Sequence, residues 1–296
     1  MFNLIVNPLN MRKFKFSSLG ALALIFSSGL FVACQDQGVE TMPEEPDQIT
    51  EATKAKFTEL GFDVSDIKMS DEFELLDPAS EGGNFVLEGD IIITPENLEA
   101  MLQSDIAHVG AVGEQYRTTN LVTGLPRTIE VIGYTGGSLA LTSKMRTSLQ
   151  WAINNYNALN TGLTFTLTFG TNWQPRDIVV YRPSGGAGGS AGFPSGGDPY
   201  KFVQIFSGLN SFNNNVIEHV MTHEIGHCLG LRHTDYFNRS LSCGTGGNEG
   251  SAGVGAILIP GTPSGFDANS VMLACFSSSE DGEFGPFDVV ALETLY

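Results

Sequence analysis

Residues 223–233 read His223-Glu224-Ile225-Gly226-His227-Cys228-Leu229-Gly230-Leu231-Arg232-His233, and this stretch decides which fold the sequence predicts. Residues four apart on a helix stand on the same face, so His223 and His227 can direct imidazole nitrogens at one metal ion. Glu224 lies beside the first histidine, on the side from which its carboxylate reaches a metal-bound water instead of the metal. The stretch therefore predicts a helix with two metal ligands and a general base.

A third ligand follows from the glycine in the stretch. Gly230 lies three residues beyond His227, where a helix can end in the left-handed conformation that glycine adopts without steric penalty. The chain then turns back and delivers His233 to the metal. Three histidines and one open position are typical of catalytic zinc, so Zn²⁺ is the predicted cofactor. Bound zinc would lower the pKa of its water toward about 7, and Glu224 would take the proton as the hydroxide attacks a carbonyl carbon.

His219 extends the histidine column by one more turn. One ion cannot span two full helical turns, so the metal uses either His219 with His223 or His223 with His227. Only the second pair has Glu224 directly after its first histidine and a third histidine, His233, downstream. The sequence therefore favours a packing role for His219, or a contact with one of the metal-binding residues, over direct metal binding.

The composition describes an acidic globular chain. The formal net charge is −18 and the hydrophobic content is 42%, which is enough for a sizeable core. Most of the acidic excess lies between residues 35 and 125, and no cluster of basic residues follows it. Nucleic acid and anionic membrane surfaces are therefore poor candidates for a partner.

Residues 1–34 have the pattern of a signal peptide. Three basic residues at positions 12, 13 and 15 precede the apolar run Leu19–Val32. This run is shorter than the roughly 20 residues that a membrane-spanning helix needs. Its end, residues 30–34, resembles a bacterial lipobox, with Phe31 where that pattern prefers leucine, and makes Cys34 the candidate lipidation site. The alternative is that Cys34 is an unmodified cysteine within the cleaved signal peptide. The expected location is outside the cytoplasm, as a cell-envelope lipoprotein or an extracellular protein, with membrane contact only through the lipid.

Three cysteines remain after Cys34. Cys228 lies inside the helical motif, so Cys243 and Cys275 are the predicted disulfide in an exported protein, and Cys228 is the predicted free thiol. The spacing by itself does not fix this connectivity.

The order of elements predicts an α/β (α+β) fold. Residues 35–125 form an acidic tether and a candidate prosegment, and residues 126–296 form the catalytic domain, with a twisted, mostly parallel sheet over two helices and a loop-rich lower half. In the first segment the pattern predicts helices over 50–60 and 95–102 and a strand-turn-strand over 85–94. In the second it predicts strands over 128–134, 163–169, 177–181 and 201–206, a helix over 141–159 and a last helix over 287–296.

The extended motif HExxHxxGxxH resembles that of the metzincin zinc peptidases, and the HEIGH core is similar to that of the bacterial dual-action HEIGH metallopeptidases. The resemblance implies a zinc endopeptidase with a methionine turn beneath the metal. Asn269-Ser270-Val271-Met272-Leu273 matches this turn and makes Met272 the floor of the site. An edge strand near 191–194 would bind an extended polypeptide substrate by strand addition, with a glycine-rich loop as the alternative there.

Two positions depart from or extend this resemblance. Several metzincins have a tyrosine two residues beyond the turn methionine, whereas this chain has Ala274, so the oxyanion-stabilising residue is unassigned. Leu87-Glu88-Gly89-Asp90 resembles the aspartate switch of astacin-type prosegments, in which a carboxylate occupies the zinc until cleavage. Asp90 is therefore the candidate zymogen switch, and an ordinary hairpin turn is the alternative.

The sequence thus predicts a zinc-dependent endopeptidase that is most simply a monomer. Two other functions share parts of this pattern. An exported zinc-containing binding protein without activity would need no base such as Glu224, whereas a zinc amidase acting on a non-peptide substrate would use the same chemistry.

Overall fold

The computed structural model describes residues 49–60, 62, 64–70, 76, 83–102, 115–249, 255–263 and 265–296. Residues 46–296 form one compact unit. The predicted signal peptide, the lipidation candidate Cys34 and the tether up to residue 48 lie outside the described residues. Within the described ranges, no helix is both long and apolar enough to cross a bilayer.

The elements follow the predicted order. The helices are α1 (Glu51–Glu59), α2 (Pro95–Leu102), α3 (Ser143–Ala158), α4 (Asn214–Leu229), α5 (Ser240–Cys243) and α6 (Pro286–Leu295). The strands are β1 (Lys68–Ser70), β2 (Asn84–Leu87), β3 (Ile91–Ile93), β4 (Tyr116–Arg117), β5 (Arg127–Tyr134), β6 (Leu163–Gly170), β7 (Ile178–Tyr181), β8 (Gly189–Ser190), β9 (Phe202–Ile205) and β10 (Ile257–Leu258).

The main sheet has the strand order β6-β5-β7-β9-β8. The pairs β5–β6, β5–β7 and β7–β9 are parallel, and the short edge strand β8 is antiparallel to β9. This confirms the predicted mixed, mostly parallel sheet. Strands β7 and β9 are buried at all four positions, as expected for parallel strands covered on both faces.

Helices α3 and α4 pack against each other and share one apolar core with the sheet. The other side of the sheet is covered by a second cluster, to which the N-terminal segment contributes Leu76 and Ile92. The active-site helix α4 therefore lies in the centre of the molecule. Its residues from Val216 to Leu229 are all buried, the histidines and glutamates among them as well as the apolar side chains.

Both ends of α4 are set by local sequence. The Asn213 side chain caps the first turn by accepting a hydrogen bond from the backbone N–H of Val216 at 3.0 Å. The helix ends at Gly230, whose φ of 102° is the left-handed conformation that the sequence predicts. A Cβ at position 230 would also come within 3.0 Å of Leu121, Thr118 and Asn120, so glycine is required there for space as well as for conformation.

The N-terminal segment has its own small antiparallel sheet, β1-β2-β3. Helices α1 and α2 pack on this sheet around Phe57, which makes edge-to-face contacts with Phe62 and Phe85. Phe193 from the main domain belongs to the same cluster. The segment is therefore packed onto the catalytic half, with the β2–β3 hairpin closest to the histidine motif.

The loop-rich lower half is held by a disulfide. The predicted disulfide between Cys243 and Cys275 is present, and Cys228 is a buried free thiol. The pattern missed α5, the three-residue strand β1 and the two-residue strands β4, β8 and β10. Such short elements are fixed by distant partners and leave no periodic signal in the sequence.

Candidate active site

The three histidines of the motif converge at one point. His223 and His227 lie on α4, and His233 returns to them after the turn at Gly230. Each Nδ1 faces an acceptor: Val271 O at 2.9 Å for His223, Leu231 O at 2.8 Å for His227, and Glu249 Oε1 at 2.8 Å for His233. A ring whose Nδ1 donates a proton keeps a lone pair on Nε2. His223 and His227 therefore present Nε2 lone pairs to the same space, and the Nε2 of His233 points into it as well, where it faces the Asp90 carboxylate.

This donor set fits a metal ion. The Nε2 atoms of His227 and His233 lie 3.2 Å apart, and the buried Nε2 of His223 has no hydrogen-bond partner among the described residues. Two lone pairs that face each other at this distance repel, whereas a cation between them would bind both. Burial lowers the pKa of His227 well below its ordinary value, aided by the neighbouring His223 and His233 rings, so its imidazole is held in the neutral form that binds metals.

Glu224 is buried beside these rings, and its Oε2 has no hydrogen-bond partner in the described part of the chain. Burial raises the pKa of Glu224 well above its ordinary value, and the negative charge of Asp90 raises it further. A carboxylate placed in this way can accept a proton from a water molecule held next to the histidines.

The edge strand leaves room for that carboxylate. A Cβ at Gly189 in β8 would lie 2.7 Å from Glu224 Oε1 and 2.8 Å from the backbone oxygen of Gln204. Both distances are too short for real atoms, so a side chain at position 189 would displace either Glu224 or the strand pair β8–β9.

Met272 lies directly beneath the site and is fully buried. Its sulfur packs against Gly226, where an added Cβ would lie only 2.6 Å from Sδ. The glycine of the HEIGH core therefore has a packing role that the sequence analysis did not assign. Because Gly226 has no side chain, the methionine turn can lie close to the helix that carries two of the histidines.

We expect Gly226→Ala to disturb this contact in spite of the higher helix propensity of alanine. Because Met272 has no solvent to move into, overpacking should cost about 1–3 kcal/mol of unfolding free energy. That loss should exceed the gain of about 1 kcal/mol that alanine brings to a helix. Urea denaturation and the zinc content of the purified variant measure the effect.

Gly186→Ala is the matched control, because position 186 is exposed and a Cβ there meets nothing within 4 Å. A Gly226→Ala chain that is as stable as the control and holds as much metal would contradict the packing role.

Asp288 on α6 anchors the methionine turn. Its Oδ1 accepts hydrogen bonds from Ser270 Oγ at 2.6 Å and Gln115 Nε2 at 2.7 Å, and its Oδ2 accepts from the backbone N–H of Val271 at 2.9 Å. The carbonyl of the same Val271 residue orients His223. The final helix therefore positions a histidine from 65 residues away in the chain, as the numbering from 223 to 288 shows.

Glu249 and Arg232 are functional-site residues that sequence reasoning missed. Glu249 is fully buried, accepts from His233 Nδ1, and lies 3.5 Å from Arg232 Nη2 and 3.2 Å from Arg239 Nε. It lies in a loop without motif or periodicity, so nothing in the sequence marks it. Arg232 was noted only as one residue of the 223–233 stretch. Its full burial beside Glu88 and Glu249 was not predicted.

The tip of the β2–β3 hairpin enters the site. Asp90 Oδ2 lies 3.1 Å from His233 Nε2 and 3.5 Å from His223 Nε2, so the candidate switch residue contacts the metal-facing nitrogens. Glu88 is fully buried 3.8 Å from Arg232 Nη2, with a left-handed φ of 58° that is unusual for a residue with a side chain. The hairpin-turn alternative and the zymogen-switch hypothesis are compatible, because Asp90 lies in the turn and reaches the histidines.

The hairpin also pairs with the edge of the main sheet. The backbone N–H of Ile92 donates to Ala191 O at 2.8 Å, and the N–H of Ala191 donates to Asp90 O at 2.9 Å. The edge strand itself is Gly189–Ser190, slightly before the predicted 191–194, and Ala191 forms a parallel bridge to Ile91. The segment 90–92 thus occupies the edge to which the resemblance assigns substrate.

His219 does not join the cluster formed by Asp90, His223, His227 and His233. Its ring stacks near Phe276, and its Nδ1 lies 3.9 Å from Glu280 Oε2. Burial lowers the pKa of His219 to about 4, with His223 as the second cause. The structure therefore separates His219 from the metal-facing histidines.

Three buried histidines around one point, beside a buried glutamate whose Oε2 has no hydrogen-bond partner in the described ranges, define the class of metal-dependent hydrolases. The chain belongs to the dual-action HEIGH metallo-peptidase family, whose profile matches residues 85–296, and it is a metallopeptidase. The matched range includes the β2–β3 hairpin with Asp90.

Two solved structures of myroilysin are similar to the chain. One is 13% identical and covers 60% of this chain and 82% of that chain, with a TM-score of 0.38. The other is 15% identical and covers 70% and 98%, again with a TM-score of 0.38. No curated protein matches the chain at a significant level.

Proposed function

We propose that this metallopeptidase is an exported zinc endopeptidase that cleaves extended polypeptide, uses Glu224 as its general base and is held latent by Asp90. One observation carries the proposal. The Nδ1 atoms of His223, His227 and His233 each face an acceptor, so their three Nε2 atoms converge next to Glu224, whose Oε2 has no hydrogen-bond partner among the described residues.

The ligand set favours zinc over harder cations, because imidazole nitrogens suit zinc whereas calcium and magnesium prefer oxygen ligands. His223, His227 and His233 would hold the ion. When bound, zinc is a Lewis acid that lowers the pKa of a water molecule toward about 7 and polarises a carbonyl group.

Glu224 would move the proton. Its carboxylate takes the proton of the attacking water and returns it to the nitrogen of the leaving amine. Burial raises the pKa of Glu224, which suits a group that must both accept and give up a proton. The acceptors Val271, Leu231 and Glu249 keep the three imidazole rings in fixed orientation during this exchange.

The sheet edge supports an extended substrate. The backbone N–H and C=O of Ala191 already bind an extended segment, residues 90–92, beside the histidines. The same two groups would bind the backbone of a substrate strand once that segment has left. Main-chain pairing of this kind places a peptide bond near Glu224 without requiring one particular side chain.

Latency follows from the same contacts. With Asp90 Oδ2 at 3.1 Å from His233 Nε2, the carboxylate lies where the attacking water would have to sit. The hairpin backbone blocks the sheet edge at the same time. Removal of the candidate prosegment up to residue 102 would open both the metal site and the sheet edge, and would keep Gln115, which hydrogen-bonds Asp288.

Export is supported by the signal-peptide pattern of residues 1–34 and by the disulfide between Cys243 and Cys275, since structural disulfides persist in oxidising compartments. We propose Cys34 as the site of lipid attachment, with the acidic stretch that follows it as the tether.

The purified chain is expected to contain about one zinc ion per molecule and to cleave unfolded casein. A chelator should remove the activity, and Zn²⁺, but not Mg²⁺, should restore it, because only zinc matches the histidine donors. Elemental analysis and a casein assay measure this, with wild type and Asp90→Ala compared in parallel since the wild type is proposed to be latent. Cleavage that survives complete chelation, or a zinc-loaded chain that stays inactive after the candidate prosegment up to residue 102 has been removed, would refute the proposed function.

A further inference from the structure

One positively charged side chain beside the histidines has no part in the proposed chemistry. A cavity of about 270 Å³ opens at His223 and Glu224, and among the described residues that line it Arg239 is the only arginine or lysine. Hydrolysis of a peptide bond places negative charge on the carbonyl oxygen, and a donor already aimed at that oxygen lowers the barrier. The lining therefore contains one permanent cation at the place where such a charge would develop.

The loop that follows the histidine motif holds Arg239 at this cavity. Arg239 directly precedes α5, and its carbonyl accepts a hydrogen bond from the backbone N–H of Cys243 at 2.9 Å. Cys243 is joined by the disulfide to Cys275, which itself lines the cavity. The disulfide therefore fixes the backbone of Arg239 beside the segment that follows the methionine turn.

Two contacts locate the guanidinium group. Its Nε lies 3.2 Å from Glu249 Oε1, the same oxygen that lies 2.8 Å from His233 Nδ1. Its Nη2 lies 3.8 Å from the position that a Cβ on Gly89 would take. Gly89 directly precedes Asp90, whose carboxylate lies on the Nε2 atoms of the histidines. The guanidinium thus faces the tip of the hairpin, and it would face open space in the cleft once the hairpin has left.

We propose that Arg239 is a further catalytic residue, which donates a hydrogen bond from an Nη group to the carbonyl oxygen of the scissile bond as negative charge develops there. This inference rests on the proposed function and adds a residue to the same site. Guanidinium stays charged at any working pH and has five donors. With Nε directed at Glu249, the two Nη groups remain for the substrate.

The electron pairs and protons of this step balance without a proton from Arg239. As the water oxygen bonds to the carbonyl carbon and Glu224 takes its proton, the electron pair of the C=O bond moves onto the carbonyl oxygen. The Nη–H group stabilises this charge and keeps its proton. The pair returns to the C=O bond when the C–N bond breaks and Glu224 gives its proton to the leaving amine.

The test separates kcat from KM. The parent is the zinc-loaded Asp90→Ala chain, replaced by the chain without the segment up to residue 102 if the covered sheet edge keeps it inactive. A synthetic peptide that spans one mapped casein cleavage site is the substrate. Arg239→Gln should lower kcat by about 10²–10³-fold, the usual cost of one lost oxyanion donor, with KM little changed.

A phosphinic analogue of the same peptide gives a second readout. Its tetrahedral anion mimics the charged oxygen, so its inhibition constant should rise in Arg239→Gln by about the factor that kcat/KM falls. Arg239→Lys keeps the charge and should recover part of the loss. Arg146→Gln is the matched control, because Arg146 lies on α3 and does not line the cavity, and it should match the parent.

The bound zinc content is measured for every variant. A loss of zinc in Arg239→Gln would mean that the arginine acts only through Glu249 and His233, which overturns the catalytic role. A rise in KM at constant kcat would mean that it binds the substrate in its ground state, and a parental rate would mean that it does neither. Each of these results leaves the proposed function intact, whereas absence of cleavage by both parent chains overturns the proposed function and this inference with it.

Discussion

Glu224→Gln is expected to lower casein cleavage by about 10²–10⁴-fold, the usual contribution of a positioned general base. Glutamine keeps the shape of the side chain and fits the same space beside Gly189, but it cannot accept a proton from water. The three histidines and the acceptors of their Nδ1 protons are untouched, so bound zinc should stay at the wild-type level. Cleavage rates and elemental analysis of the Asp90→Ala chain, with and without Glu224→Gln, measure the two quantities.

Glu218→Gln is the matched control for this substitution. Glu218 lies on the same helix and is also buried, but its Oε1 accepts a hydrogen bond from Asn155 at 3.0 Å, away from the histidines. The control should cleave casein at the rate of its parent. If Glu224→Gln cleaves as fast as Glu218→Gln while zinc is bound, the general-base role is wrong and another group must move the proton.

Asp90→Ala is expected to activate the full-length chain. The Asp90 carboxylate is tethered next to His233 and His223, and a short tether gives an effective concentration in about the millimolar range. Its loss should therefore raise casein cleavage at least about tenfold even though the hairpin backbone still pairs with Ala191. The measurement is the initial rate at equal zinc loading, so that a change in metal content is not taken for activation.

Glu99→Ala serves as the control within the same segment. Glu99 forms an exposed ion pair with Lys56 within the segment, and its removal deletes a carboxylate that is not part of the histidine cluster. Equal activity of Asp90→Ala and Glu99→Ala would contradict the switch role of Asp90. The hairpin would then inhibit only by covering the sheet edge, and deletion of the segment up to residue 102 would be needed for activation.

The local sequence was sufficient to predict each arrangement of residues that lies within one helix or strand and its adjoining turn. The spacing of His223 and His227, the base position of Glu224 and the turn at Gly230 all follow from helix geometry, and the structure places these residues as the spacing requires. Strands β5, β6, β7 and β9 of the main sheet and helix α3 were predicted to within about two residues, because each shows clear periodicity. The pairing of Cys243 with Cys275 was predicted by excluding the helical Cys228, and the structure contains it.

The sequence alone thus determined the class of the protein and the residues facing the metal site, because four of them lie within eleven positions of one helix and its turn. Only the tertiary structure decided what surrounds them. Glu249 on His233, Asp288 behind the methionine turn and the cavity beside His219 each depend on segments far apart in the chain. The physical reason is that a buried charge or an unpaired nitrogen is defined by its neighbours in space, and a single sequence shows only neighbours along the chain.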